Sequence, residues 1–541
     1  MLSWFQKPIE SLAGGALVLG FFSFVSRLFG LWRDRVLAGT FGAGDTLDVY
    51  YAAFRIPDLL FALLITGALS ASFIPLFVRH LRSDGVADEG WAFTNRMLIG
   101  LGVLFGAGAL LGILFAPLLA ELVAPGFSSD KQQHVAFFMR VLFLAEGLIA
   151  VSSVFSNVLQ ATQRFALFAL SPVLYNIGII LGAVFFVPAV GAIGLAWGVV
   201  LGAFLHMAIP VWGSWKMGYR PHWPKPWFHA DVSSALLLFG PRVLGIGMSQ
   251  IQFIILGVLA SALAAGSVTV FQFAYNLTSL PVGILAVSFA ISAFPLLSRA
   301  GVEGDTSRFA DIMSEAVRQI LYLIIPATLF LLLLRAQTVR LVLGAGTFGW
   351  EETLLVADTL AFLVMSLFAQ ALNLLFIRAF FAYRDSVTPL VAGALSTLVL
   401  LLSAGRLTEM LGIVGLGIAF SLAQVVELIL LWAMLRVKVG AIHESKLLRS
   451  LLKMTVAGLF MAIGMQVSKP LTVWFAPLDT FAGVFLQTAV VGSIGTAIYL
   501  SLSSLFHVEE FGELRALVHR HLFRRFRPAE ALPVANNEQV L

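Results

Sequence analysis

Apolar blocks of about twenty residues or more follow one another along almost the whole chain, separated by short polar turns. A helix needs roughly 20 mostly apolar residues to cross a bilayer. On that basis the pattern predicts fourteen spans, near 13–38, 47–78, 94–122, 134–159, 165–187, 191–214, 233–263, 268–297, 311–342, 354–381, 387–405, 412–436, 448–474 and 480–506. Two stand apart: 387–405 is short, and 47–78 is long and charged. The fold class expected is an all-α polytopic membrane protein with about 14 transmembrane helices.

Composition agrees. The 541 residues are 59% hydrophobic and 12% charged, with a mean hydropathy of +0.95; soluble domains are about half apolar and a quarter charged. Forty-eight glycines suit close helix packing in lipid. The absence of cysteine excludes disulfides, thiolate metal sites and cysteine nucleophiles. The N-terminus lacks the features of a cleaved signal peptide, so the first apolar segment is expected to stay as a helix. With fourteen spans, 23 of the 34 Lys and Arg residues fall on the side of the N-terminus and 7 on the other, while Arg27, Arg55, Arg140 and Arg242 lie inside spans. Positive residues gather on the cytoplasmic side, so both termini are expected there. Residues 507–527, VEEFGELRALVHRHLFRRFRP, read as a basic amphipathic helix on anionic lipid, followed by a disordered tail. The Trp- and Pro-rich stretch 221–232 reads as an interfacial loop.

The chain repeats itself. VLAGTFGAG (36–44) is similar to VLASALAAG (258–266) at an interval of 222 residues, and YYAAF (50–54) sits against FQFAY (271–275). GALSASFIPLF (67–77) matches FAISAFPLLS (289–298) after a two-residue slip. Six spans separate the copies, so the copies share one topology and are related by an axis along the membrane normal. The expected division is a six-helix lobe over 1–220, a second over 221–440, two further helices over 441–506, and a cytoplasmic helix and tail over 507–541, with a cavity between the lobes.

Charge then singles out the first hairpin. Residues 20–75 carry Arg27, Arg33, Asp34, Arg35, Asp48, Arg55 and Asp58. Ionisable groups at membrane depth are costly and face a bundle interior or a wet cavity. At about 100° per residue, Gly20, Ser23, Arg27, Gly30 and Asp34 share one stripe, with Arg33 and Arg35 off it. Asp48, Ala52, Arg55, Ala62, Thr66 and Ser70 share a face of the second span. In one reading the aspartates pair with the arginines and lock the hairpin. In the other, Arg27 and Arg33, with Arg55 as a third, offer forked donors to a phosphate or diphosphate. The second copy presents Gln272, Asn276, Ser279, Gly283, Ala286 and Ala290, which suits a cavity wall or a tight helix interface. Glu146 and Glu427 are further buried acids, suited to structural pairing or to a proton or cation; Arg140, Arg242 and Asp358 complete the intramembrane charges. Pro172, Pro241, Pro281 and Pro326 mark kinks or hinges. No GxSxG, HExxH or P-loop is present, and scattered histidines such as His206 make no enzyme site.

These stretches resemble a known family. SRLFGLWRDRVLAGTFGAGDTLDVYYAAFRIPDLL, GALSASFIPLF, APGF (124–127), FGPRVLGIGMSQI (239–251) and SLPVGILAVSFAISAFPLLS (279–298) are similar to the MurJ (MviN) family of lipid II flippases, in the MOP exporter superfamily, over about residues 10–505. The resemblance implies a flippase that moves undecaprenyl-diphosphate-linked disaccharide-pentapeptide from the inner to the outer leaflet by alternating access, for peptidoglycan synthesis and cell-wall biogenesis. It implies a cationic cavity with Arg27, Arg33, Asp34 and Asp48 at family positions. Where relatives commonly carry further arginines this chain has Phe61 and Asn276, and Thr66 and Ser279 replace nearby acids. The substrate-binding set expected is Arg27, Arg33, Asp34, Asp48, Arg55, Asn276 and Ser279. Asp34 and Asp48 are expected to orient the arginines, and the Asn276 face to meet sugar or peptide.

No catalytic residues, cofactor or nucleic-acid partner are expected, and no metal ligands are assigned. A monomer in the bacterial inner membrane is expected, with cell-wall synthesis proteins as candidate partners. The alternatives are a flippase for another undecaprenyl-linked oligosaccharide and a cation-coupled multidrug exporter.

Overall fold

The computed structural model describes residues 12–82, 85–223, 240–474, 477–512 and 515; the side chains of 12–17, 66–72, 82, 85 and 240–247 fall outside that description. The predicted roles of Thr66, Ser70, Pro241 and Arg242, the loop beyond Trp223 and the tail beyond 515 therefore lie outside the described residues.

Almost everything described is helix, with one two-residue antiparallel pairing of Leu81–Arg82 with Gly85–Val86. The described part of each of the fourteen predicted segments falls on a helix or on a helix with breaks or a π stretch. Length and apolarity alone, however, give ten membrane-crossing helices among the described residues, or eleven if Trp350–Met365 and Leu367–Ala382, bent by 47°, form one span. The shortfall falls on the helices at 12–41, 45–78 and 240–261. The first two carry the charged hairpin, and ionisable side chains erase the apolar signature of a span.

The helices sit in lipid as the sequence demands. Phe21, Phe24, Leu28 and Trp32 form an exposed apolar stripe on Leu12–Phe41, turned away from the side that holds Arg27 and Asp34. Where helices cross, small residues let the backbones touch. Gly178 and Gly182 lie directly against Gly202 and Gly198, and a Cβ at any of them would collide with the facing helix.

The repeat continues through both halves. Left-handed backbone recurs at Gln163 and Arg384, at Gly191 and Gly412, and at Gly218 and Gly440. A one-residue helix break at Phe115 is matched at Leu334. A five-residue π-helical stretch follows Asp45–Phe61 at Ala62–Thr66, and follows Ser267–Pro281 at Val282–Ala286. The first of these helices has 17 residues and the second 15. That difference is the two-residue slip in the sequence repeat: the interval is 222 residues where these helices start and 220 where they end, and it stays 220 through both π turns.

The two halves also meet symmetrically. Leu12–Phe41 packs on Arg335–Leu343 of the second half, and Gly240–Ser261 packs on Ala116–Val123 of the first. At one end of the bundle, Gly126 lies against the backbone of Ser261 and Ala262, and its N–H donates to Ser261 Oγ at 3.2 Å. In the matching place Gly346 lies against the Gly39 carbonyl, which accepts from Thr347 N–H at 3.0 Å. Gly266, at φ +87°, packs against the Ala43 carbonyl between them. This end, the one reached by the turn after Phe41, is closed backbone to backbone. Glu444–Val473 and Phe481–Leu505 pack on each other and, through Thr306–Leu333, on the second half.

Candidate functional site

Asp48 is almost wholly buried, at 1% exposure. It stands in the first turn of Asp45–Phe61, yet its carboxylate serves the other half. Oδ2 accepts from Gly266 N–H at 2.8 Å, and Oδ1 accepts from Thr269 N–H at 2.9 Å and from Thr269 Oγ1 at 2.8 Å. These are the orphan donors at the start of Ser267–Pro281, a helix whose own N-cap, Gly266, offers no side chain. Lys131 balances the charge, at 3.0 Å from Asp48 and 2.6 Å from Asp45, with its ammonium 3.7 Å from the centre of the Phe127 ring. Asp48 therefore does not orient Arg27 or Arg33; it caps the second copy of the hairpin.

The remaining polar residues form a continuous relay across the two halves. Arg33 donates to Asp34 Oδ1 through both Nε (3.0 Å) and Nη2 (2.8 Å). The other carboxylate oxygen of Asp34 accepts from Asn276 Nδ2 at 2.9 Å. Asn276 Oδ1 accepts from Gln272 Nε2 at 2.8 Å, and Gln272 Oε1 accepts from Arg55 Nη2 at 3.0 Å. Two amides of the second copy thus join the first span's acid to the second span's arginine. Phe253 flanks the Arg55 guanidinium at 5.8 Å, and Tyr51 packs edge-on to Phe273. Arg55 Nε and Tyr51 Oη are buried without a hydrogen-bond partner among the described residues.

Arg27 differs from Arg33 and Arg55. It is half-buried and lies against Gly283, within the π turn of the second copy, where a Cβ would run into the guanidinium. Among the described residues it forms no ion pair or hydrogen bond. Ser279 donates to the Asn276 carbonyl of its own helix at 2.8 Å, leaving its hydroxyl oxygen as an acceptor. The structure thus gathers Arg27, Arg33, Asp34, Arg55, Asn276 and Ser279 where the halves face each other, and separates Asp48 from them.

The other charges sort simply. Arg35 is drawn away, donating to the Leu341 carbonyl at 2.7 Å and lying over Phe481. Arg140 is exposed and reaches the Ile113 carbonyl at 3.3 Å, while Asp358 pairs with Arg335 at 3.5 Å. Asp58 is half-buried and makes no ion pair with an arginine within 4 Å among the described residues. Glu146 is buried and has no hydrogen-bond partner there. Glu427 is buried beside Ser396, whose hydroxyl is 3.5 Å away and also accepts from Gln252. His206 bonds Ser152 at 2.8 Å. Among the described residues no three His, Asp or Glu side chains gather as a metal site.

Sequence reasoning left three participants out of the site. Gln272 stood on the right helical face but outside the chosen set; the Gln272, Asn276 and Ser279 spacing of four and three was its signal. Gly283 suits a cavity wall or a tight helix interface in the sequence, and its contact with Arg27 has no sequence signal. Lys131 was signalled only by two acids, Asp45 and Asp48, opening one helix at membrane depth.

Comparison with known proteins adds relationship to this geometry. The family model described as "Lipid II flippase MurJ" matches residues 37–485. A protein of Bdellovibrio bacteriovorus named "Probable lipid II flippase MurJ" is 27% identical over 471 residues, covering 86% of this chain and 90% of its own. One of Rhizobium tropici with the same name is 27% identical over 544 residues, 98% and 100% of the two chains. Among solved structures, "Lipid II flippase MurJ, inward closed conformation" superposes with a TM-score of 0.73 at 23% identity, covering 93% of this chain and all of that one. An inward-facing multidrug resistance MATE transporter of the MOP superfamily superposes at 0.64 and 16% identity, covering 77% and 96%.

Proposed function

The chain belongs to the MurJ family of lipid II flippases, and from that premise we propose how this member holds and moves its substrate. It is a multi-pass inner-membrane transporter rather than a catalyst, acting on a lipid-linked substrate. The substrate we propose is lipid II, whose undecaprenyl diphosphate carries the anionic charge. Arg27 and Arg33 engage the diphosphate, because a guanidinium gives a phosphate two parallel donors. Asp34 positions Arg33, and the Asn276–Ser279 face meets the sugar or peptide. Asp48 is a structural partner of the second copy.

The observation that carries this reading is Arg27: a half-buried cation at membrane depth, between the halves, with no acid beside it among the described residues. A cation in that setting is costly unless a function retains it. A diphosphate arriving at Arg33 competes with Asp34 for the same donors. That competition loosens the Asp34–Asn276 bond, which is one of the ties between the halves. Lobes over 1–220 and 221–440 then rock about the bound head group, while 441–506 flank them and both termini stay cytoplasmic.

Complementation of a strain depleted of its own lipid II flippase tests the proposal. The wild-type chain is expected to restore growth. Arg27→Ala is expected to fail while reaching the membrane in normal amount, since it removes a group with no structural partner. Rescue by Arg27→Ala would overturn the role given to Arg27.

A second reading has one observation in its favour. The family resemblance implies arginines where this chain has Asn276 and Phe61, so less positive charge is expected at this site. A flippase for another undecaprenyl-linked oligosaccharide fits that reduction. It predicts no rescue by the wild-type chain despite full membrane expression.

A further inference from the structure

A second cluster of positive charge lies far from the relay, at the end of the bundle rich in Lys and Arg. Lys446, Arg449, Ser450 and Lys453 are spaced by three, one and three residues, so they share one face of the first turns of Glu444–Val473. That face looks onto a cavity of about 300 Å³, closed on its other sides by Arg318 and by His507, Val508 and Glu509. The volume is at the small end of ligand pockets.

The walls are held by ion pairs and hydrogen bonds, of which the Arg318–Glu510 pair is buried. Arg318 is buried and forks onto Glu509, at 2.8 Å, and onto Glu510. Glu510, also buried, accepts from Ser450 Oγ at 3.1 Å. His507 turns the chain at φ +49°, and its carbonyl accepts from Lys453 Nζ at 3.3 Å. Glu509 answers Arg318 and, at 3.3 Å, Lys446. Four cations and one acid therefore line the cavity, and Arg449 has no acidic partner among the described residues. Val456 and Phe460, exposed on the same helix and within about 20° of Arg449 at 100° per residue, continue from it onto the apolar surface of the span. Compact positive charge at the edge of an apolar belt matches a lipid head group.

We propose that this cavity binds the phosphate of an anionic phospholipid, with Arg449 and Lys453 as its principal donors. Lipid phosphate is favoured over a free anion because Val456 and Phe460 offer the acyl chains a place below the charge. The site is separate from the Arg27–Arg33 cluster and independent of which head group the transporter moves.

Thermal unfolding of the purified full-length protein tests this. Samples in detergent are mixed with dioleoyl-phosphatidylglycerol, with dioleoyl-phosphatidylcholine or with inorganic phosphate. A ligand that binds only the folded state raises its melting temperature. Phosphatidylglycerol is expected to raise it by several degrees more than phosphatidylcholine. Arg449→Gln with Lys453→Gln is expected to remove most of that difference, read against the same variant's own melting temperature in phosphatidylcholine. Arg449→Lys with Lys453→Arg, and the distant control Arg299→Gln with Arg308→Gln, are expected to keep it. Equal stabilisation by both lipids, equal loss in the control pair, or reproduction of the effect by inorganic phosphate alone would overturn the proposal.

Discussion

The two copies of the hairpin share a backbone and differ in charge. In the first, Asp45–Phe61 carries Asp45, Asp48, Arg55 and Asp58; in the second, Ser267–Pro281 carries no acidic or basic side chain. At the 222-residue interval Asp48 faces Val270, and at 221 residues Lys131 faces Glu352. The first copy gives its carboxylate to the second copy's N-terminus, and Glu352 instead serves the Gly349 N–H of its own helix at 2.9 Å. The second copy returns two neutral amides, Gln272 and Asn276, to the first copy's charges. Duplication thus supplied the geometry twice, while the charge stayed on one side and the groups that hold it in place on the other. Neither copy is complete without its partner.

That dependence is strongest where the glycines meet. A Cβ at Gly39 would lie 3.2 Å from the Cβ of Ala345, near the 3.5–4.5 Å that a disulfide spans. The chain has no native cysteine to interfere. Gly39→Cys with Ala345→Cys is expected to cross-link the closed end and abolish flipping completely under oxidation, with recovery after reduction. The rescue assay, run with and without reductant, reads this directly. Full activity of the cross-linked protein would mean that this end never opens.

The next effect is on stability. Asp48→Ala leaves Lys131, Gly266 N–H and Thr269 N–H without their buried acceptor. Breaking a buried, hydrogen-bonded charge pair costs roughly 3–5 kcal/mol. Melting in detergent is expected to drop sharply, with flipping falling only in proportion to folded protein. Val270→Ala, at the same place in the second copy, removes two methyl groups and is expected to cost about 1 kcal/mol. Loss of flipping by Asp48→Ala at an unchanged melting temperature would return Asp48 to the substrate site.

Asn276 tests the amides of the neutral copy. Its bond to Asp34 is charge-assisted, a class worth about 1.5–3 kcal/mol. Asn276→Leu removes that bond and leaves Gln272 without its acceptor, so the closed arrangement is expected to lose roughly tenfold or more in population. A thiol reagent applied to Ala43→Cys, at the closed end, should then label faster by a similar factor. Unchanged labelling would show that the relay holds side chains in place without holding the halves together.

These contrasts were unevenly legible in the chain. Among the described residues, ten or eleven of the expected fourteen spans are legible from length and apolarity alone, because lipid demands about twenty apolar residues. The repeat was visible at 36–44 and 258–266, but its continuation through Gln163 and Arg384 was not, because the left-handed turn persisted while the side chains changed. Arg33 lies off the helical stripe and still reaches the site, since its long side chain folds back onto the adjacent Asp34 with the helix intact. The partners of Asp48 lie 83, 218 and 221 residues away, from Lys131, Gly266 and Thr269. No local pattern encodes them. Asp48, expected in the substrate-binding set beside Asp34, is tied by these bonds into the second copy.

The smallest effect separates the two turns that follow Gln163 and Arg384. At the 221-residue interval Arg164 of the first half faces Asp385 of the second. Asp385 accepts from Thr388 N–H at 3.0 Å and from Lys438 Nζ at 2.7 Å. Burial pushes its carboxyl up, but the Lys438 and Thr388 bonds outweigh that and bring the pKa down to about 2. Burial lowers the Arg164 pKa, and no carboxylate counters it. A depressed carboxyl stabilises the fold above its unfolded value, about 3.9, and that contribution fades as pH falls toward 2. Asp385→Asn keeps the helix cap and loses the charge pair, which at a partly exposed site is worth under about 1 kcal/mol. Melting of wild type and Asp385→Asn is therefore expected to differ slightly at pH 6 and to converge toward pH 2, while Arg164→Gln shows no such convergence. A constant gap across that range would mean that Lys438 contributes packing there and no charge.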